Sequence, residues 1–274
     1  MKKFTDLLLF EINRIKKAYF LLMGAIILLQ VTSVVVTTNN YMNVFKNYQK
    51  EKMGNLFEFL ENWPKFGFFQ VQNHVLFEFS ILLGILALLV YTFVIWYRDW
   101  IGKNNLSYRL LAIPGSRMSV FYAKFACILL LMGGLLAMQV IMLYVGEMLT
   151  RLIIPSEMFE ATQLLGHTSK GEIVSYVLPA RVLDFIFHYT MGMTVLVIAK
   201  LFIILHLSFK WRGVAIGLAL GGILIFMFTA FMLSDIVLYI FPMETLVLML
   251  VLSILISSAS LVAIRYLMKN KISV

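Results

Sequence analysis

The side chains best suited to metal ligation or proton transfer are four histidines, His74, His167, His188 and His206, and they are scattered along the chain. None has a second histidine or a carboxylate at the helical spacing of a zinc-binding pair, so they read as isolated interfacial residues. The sequence contains neither a GxxxxGK[ST] loop to cradle phosphates nor a GxSxG nucleophile elbow. Glu78, Glu147, Asp184, Asp235 and Glu244 fall near the ends of apolar runs, where water or headgroups solvate a carboxylate more readily than a proton relay would use it. Cys127 is the single cysteine, which rules out an internal disulfide. No catalytic constellation emerges, and the reading is of a chain that is not an enzyme.

One stretch suits recognition rather than catalysis. Arg98 to Lys124, RDWIGKNNLSYRLLAIPGSRMSVFYAK, is a strongly basic break between two apolar runs. Asn105 is a good N-cap for a short helix starting at Leu106. Leu106, Leu110 and Ile113 then share a face with Leu111 beside it, while Ser107, Tyr108 and Arg109 point elsewhere. Pro114 and Gly115 end the helix, and Ser116 caps the next. This predicts helix, break, helix: a segment offered to a partner, or a positive loop lying on anionic headgroups.

The elements that would position this segment follow from composition. Of 274 residues 61% are hydrophobic and 14% charged, against about half and roughly a quarter in soluble domains. The mean hydropathy of +0.91 agrees, and the chain reads as an all-α integral membrane protein. Six apolar runs are near the roughly 20 residues that a membrane-crossing helix needs: 18–36, 75–97, 119–149, 183–205, 214–240 and 246–268. Lys124 and Lys200, near the ends of such runs, are expected to snorkel to the headgroups. Ahead of the first run, Phe4, Leu7, Leu8, Ile12 and Ile15 form a stripe on a basic segment, predicting an amphipathic helix over residues 1–17 that lies in the membrane interface.

Orientation comes from counting. With the N-terminus inside, the inner segments hold 16 of the 23 lysines and arginines but only Asp6, Glu11 and Asp99 among the acids, a balance of +13 inside against −4 outside. Both termini are therefore expected in the cytoplasm of a multi-pass cell-membrane protein. The same bias explains the net charge of +9 without nucleic acid. Two outer segments are substantial: 37–74, in which Trp63-Pro64 should end a helix, and 151–184, interrupted by Pro155 and Pro179. Gly213, Gly217 and Gly221 recur every four residues, and Ser253, Ser257 and Ser260 form a second small-residue stripe. Such stripes let helices approach closely, either within the chain or against another subunit. Gly133-Gly134 could ease packing or bending of the third run.

The segment YRLLAIPGSRMSVFYAKF resembles the loop after the second span in ABC-2 type transporter permeases, the transmembrane subunits of bacterial ABC exporters. There a leucine-rich helix runs into an L-P-x-S-R turn and then a span with an early lysine; the matching positions are Leu110, Leu111, Ile113, Pro114, Ser116, Arg117 and Lys124. The connection SFKWRGVAIGLALG is similar too, a short basic turn leading into a glycine-rich span. The resemblance implies six spans, an interfacial N-terminal helix and a cytoplasmic coupling helix between the second and third spans. Asn105, Leu106, Tyr108, Arg109, Leu110, Leu111, Ile113 and Pro114 would dock on a separate ATPase subunit that holds ATP and magnesium, so this chain needs no cofactor. A second identical or related permease subunit would complete the translocation path, and the cargo would be amphiphilic, peptide or drug-like. The competing expectation, from another class, is a membrane-embedded regulatory or immunity protein that binds a partner without transport.

Overall fold

Long apolar runs without proline have one way to satisfy their backbone in lipid, which is to hydrogen-bond to themselves as helices. The computed structural model follows that rule. It describes residues 2–52, 55–101, 118–160, 172–232 and 242–271. The elements are α1 (Lys2–Lys52), α2 (Leu56–Asn62), β1 (Phe66–Gly67), α3 (Phe69–Gln72), α4 (Val75–Ile101), α5 (Met118–Ile153), a 3₁₀ turn (Ser156–Met158), β2 (Phe159–Glu160), α6 (Glu172–Val177), α7 (Val182–Phe209), α8 (Trp211–Met232) and α9 (Pro242–Asn270). Among the described residues, five helices are long and apolar enough to cross a membrane: α1, α4, α5, α7 and α9. The chain is an all-α, multi-pass membrane protein. The fifth predicted run, 214–240, corresponds to α8, whose apolar stretch Trp211–Met227 is shorter; residues 233–241 lie outside the described residues.

Two expectations change. The sequence reading separates an interfacial helix over 1–17 from a first span and a following loop, whereas α1 is one uninterrupted helix of 51 residues. No proline falls in Lys2–Lys52, so nothing in the covalent chain forces a break. The predicted N-terminal stripe is apolar for a protein neighbour: Leu7 is buried against Val120 and Ala123 of α5, with Phe4 and Leu8 packed beside it.

The chain divides into two compact units. One comprises Met1–Asn13, Leu89–Ile128 and Ile186–Val274; the other comprises Arg14–Leu88 and Leu129–Phe185. In the second, Ile26 of α1 packs with Met138 and Met142 of α5, flanked by Leu22, Met23, Val31 and Leu135. Gly84 of α4 permits this approach, since a Cβ there would stand 3.3 Å from Ile26 Cδ1. A larger core gathers Val34, Phe66, Phe68, Val71, Phe77, Leu143 and Met158 around short elements. One of its fully buried rings, Phe59 of α2, meets Tyr41, Phe45, Tyr48 and Trp63 at centroid distances of 5.0–6.2 Å. As Trp63-Pro64 predicts, α2 stops there, with Trp63 extended at φ −127°, ψ 133°. β1 and β2 pair in parallel through Phe66↔Phe159 and Gly67↔Glu160.

In the first unit the connection from α7 to α8 is one residue, Lys210, in the left-handed region at φ 54°. Its N–H donates to the His206 carbonyl at 2.7 Å, an αL cap that reverses the chain at once. Gly213 is required by this turn, because a Cβ there would collide with the Leu205 carbonyl oxygen.

Candidate functional site

The first unit buries an ionic cluster built from the ends of three helices. Near the start of α5, Phe121, Lys124 and Phe125 fall at i, i+3 and i+4 and share a face. Near the end of α4, Trp96 and Asp99 do the same, while Glu11 of α1 lies one turn beyond the buried Leu7. Folding brings these positions together. Lys124 Nζ donates to Glu11 Oε1 at 2.5 Å, to Asp99 Oδ2 at 2.5 Å and to the Ile95 carbonyl at 2.8 Å. An ammonium has three protons, and all three are used. Arg98 Nη2 donates to Glu11 Oε2 at 3.0 Å, so both oxygens of Glu11 are engaged. The Lys124, Glu11 and Asp99 side chains are no more than 3% exposed and Arg98 is 29% exposed, so water screens little of the core of this network.

A second lysine lies close by in a different state. Lys200 of α7 is fully buried, and its Nζ has no hydrogen-bond partner among the described residues. Three aromatic rings surround it, with centroids at 5.1 Å for Phe125, 5.4 Å for Phe121 and 5.9 Å for Trp96. Lys124 Nζ lies 5.6 Å from the centroid of the same Trp96 ring. The expectation that Lys124 and Lys200 snorkel to headgroups is therefore overturned. Both side chains turn inward, Lys124 to carboxylates and Lys200 to ring faces. Farther along α7, His206 shares a 2.7 Å hydrogen bond with Tyr97 of α4.

The predicted docking residues, Asn105, Leu106, Tyr108, Arg109, Leu110, Leu111, Ile113 and Pro114, lie outside the described residues. The small-residue positions are described. A Cβ on Gly217 would overlap the Phe202 ring, so Gly213 and Gly217 both serve packing of α8 against α7, whereas Gly221 has nothing within 4 Å. Ser253 and Ser257 of α9 meet Thr194 of α7: its Oγ1 donates to the Ser253 carbonyl at 3.3 Å and lies 2.9 Å from Ser257 Oγ. Ser260 is buried. Gly134 leaves room for the hydroxyl of Tyr19, which donates to the Leu131 carbonyl at 2.9 Å.

Sequence reasoning passed over the ionic cluster. Its traces were Glu11 on an apolar stripe, Asp99 on the strongly basic side of the membrane count, and two lysines inside apolar runs. Each alone reads as an ordinary boundary charge; only the fold shows that four of the five side chains bond to one another. Among the described residues no three metal-ligating side chains converge. What the cluster does chemically is tie α1, α4 and α5 with charge-assisted bonds. Comparison with protein-family models, with curated proteins and with solved structures returns no match.

Proposed function

We propose that this chain is the membrane-spanning permease subunit of an ABC transporter of the ABC-2 type. In this reading it has six spans and both termini in the cytoplasm, and residues 105–113 form a coupling helix. ATP hydrolysis in a separate subunit drives export of an amphiphilic, peptide or drug-like substrate through a path shared with a second permease copy or relative.

The observation that carries the reading is the tie formed by Lys124, Glu11, Asp99 and Arg98. It joins the N-terminal helix to the two helices that lead into and out of segment 102–117. A helix pushed by a soluble ATPase transmits motion only if the membrane helices on either side of it move with it. Separating these helix ends would leave buried charges without partners, a penalty of about 3–5 kcal/mol when one partner is removed, which favours their moving together. The apolar face of Leu106, Leu110 and Ile113 and the L-P-x-S-R-like turn add support from the sequence.

Leu110→Glu with Leu111→Glu tests the reading. The double variant should insert normally yet recover at least about tenfold less ATPase subunit on co-purification, as expected for buried anchor residues. Unchanged recovery and unchanged transport would overturn the permease assignment. Capture of a partner without a phosphate-binding loop would favour the regulatory or immunity reading.

A further inference from the structure

Three polar side chains meet in the interior of the second unit, each carried by a helix long and apolar enough to cross a membrane. Gln30 of α1 and Ser80 of α4 are fully buried, and Gln139 of α5 is 5% exposed. A glutamine amide offers two protons and one carbonyl oxygen, so each group can be followed to its partner. Both protons on Gln30 Nε2 are used, one on Ser80 Oγ at 2.9 Å and one on Gln139 Oε1 at 2.8 Å. Ser80 gives its own proton to the Phe77 carbonyl. What is left is one carbonyl, Gln30 Oε1, and one amino group, Gln139 Nε2, neither with a partner among the described residues.

This remainder does not depend on how the amides are turned. Rotating both end for end keeps the bond between them and makes the leftover pair Gln30 Nε2 and Gln139 Oε1. Rotating one alone sets two carbonyls or two amino groups against each other. Each arrangement that keeps the observed bond therefore strands one donor and one acceptor in an apolar interior, where an unmet amide group is costly. The amides are joined at 2.8 Å, and the oxygen and nitrogen of one amide lie about 2.3 Å apart, so the leftover atoms are within about 7 Å of each other. A hydroxyl bonded to both spans about 5–6 Å, and two in line span more.

The same pair selects its ligand. An anion suits the amino group and is repelled by the carbonyl, and a metal ion or an ammonium does the reverse. A hydroxyl donates to one and accepts from the other through a single oxygen. Polar groups continue from the trio toward α3: one turn along α1, the buried Ser33 hydroxyl donates to the Val71 carbonyl at 3.4 Å, and Gln72 is buried as well.

We propose that Gln30 and Gln139 form a binding site for a hydroxyl group, supplied by water or by an alcohol-bearing amphiphile, that ties α1 to α5 inside the second unit. The site stands apart from the permease reading and is tested without any transport assay.

The test uses the full-length protein with isotope-labelled glutamine in deuterated phosphatidylcholine bilayers, whose lipids carry no hydroxyl. Solid-state NMR passes magnetisation between protons only over a few ångströms, so the side-chain amide of Gln139 reports what its protons touch. If water fills the site, transfer from the water resonance to this amide is expected. If an alcohol fills it, that transfer is missing, and added octanol produces transfer from the protons beside its hydroxyl. Either result supports the site, and the signal should be lost in Gln139→Leu. No transfer from water or from octanol overturns the proposal, because the two amides have then closed on each other as a mutually bonded pair. A signal that survives in Gln139→Leu overturns it too, since it then belongs to another glutamine. Where Gln139→Leu does not fold, Gln139→Asn replaces it, and the glutamine signal should be lost in the same way.

Discussion

The two units bury polarity in opposite ways. The first encloses an ion network, Lys124 with Glu11 and Asp99 and with Arg98 at the margin, and the unpartnered amine of Lys200 beside it. The second encloses mostly neutral groups: Gln30 Nε2 donates to Ser80 Oγ at 2.9 Å and to Gln139 Oε1 at 2.8 Å, and aromatic rings fill the core around Phe59, while its buried carboxylate, Glu147, pairs with the exposed Arg151 one helical turn away at 2.6 Å. An amide or a ring tolerates imperfect surroundings, whereas a buried ion without its partner faces the full desolvation penalty. The first unit should therefore respond to the chemistry of a substitution and the second mainly to its volume.

The largest effect expected is at Lys124. Lys124→Met keeps most of the volume and removes the ammonium that Glu11 and Asp99 share. It should cost about 3–5 kcal/mol in reversible unfolding, the usual result of breaking a buried pair from one side. Lys124→Arg should recover only part of this, because a planar guanidinium cannot point three donors at Glu11, Asp99 and the Ile95 carbonyl as the ammonium does. If methionine and arginine behaved alike, charge would not be what distinguishes the first unit.

Phe59 offers the matching measurement in the second unit. Its ring is fully buried among four other aromatics, yet it makes no polar contact that a substitution could strand. Phe59→Leu, which keeps an apolar side chain of nearly the right size, should cost only about 1–1.5 kcal/mol in the same unfolding assay. A loss as large as that of Lys124→Met would mean that ring geometry, and not volume, specifies this core.

How much of this was legible beforehand varies with the kind of information each residue carries. The helices were readable because apolar runs of membrane-crossing length constrain the backbone by themselves. The end of α2 was readable at Trp63-Pro64 because proline acts on its immediate neighbour. The continuity of α1 was not, because the basic residues near Lys17 resemble a boundary without obliging the backbone to break. The pairing of Glu11 with Lys124 was not either. It spans 113 positions, and no local rule says which of several boundary charges will meet. The spacing of Gly213 and Gly217 marks positions open to a close neighbour, within the chain or from another subunit, but that α7 is what they admit depends on the αL turn at Lys210, a conformation uncommon for a lysine.

The smallest effect should come from the amide trio. Gln30→Met removes the two hydrogen bonds that Nε2 donates and leaves Gln139 without that donor. It also removes Gln30 Oε1, a buried acceptor with no hydrogen-bond partner among the described residues, so part of the loss is offset. Ser80 keeps its bond to the Phe77 carbonyl at 2.6 Å. Hydrogen bonds between helices in membrane proteins average about 0.6 kcal/mol by double-mutant cycles and reach about 1.7 kcal/mol. Gln30→Met should fall in that range, below Phe59→Leu and far below Lys124→Met. A cost approaching that of the lysine would show that the second unit, too, depends on one specific polar arrangement, and the contrast between the units would then rest on charge alone and not on tolerance.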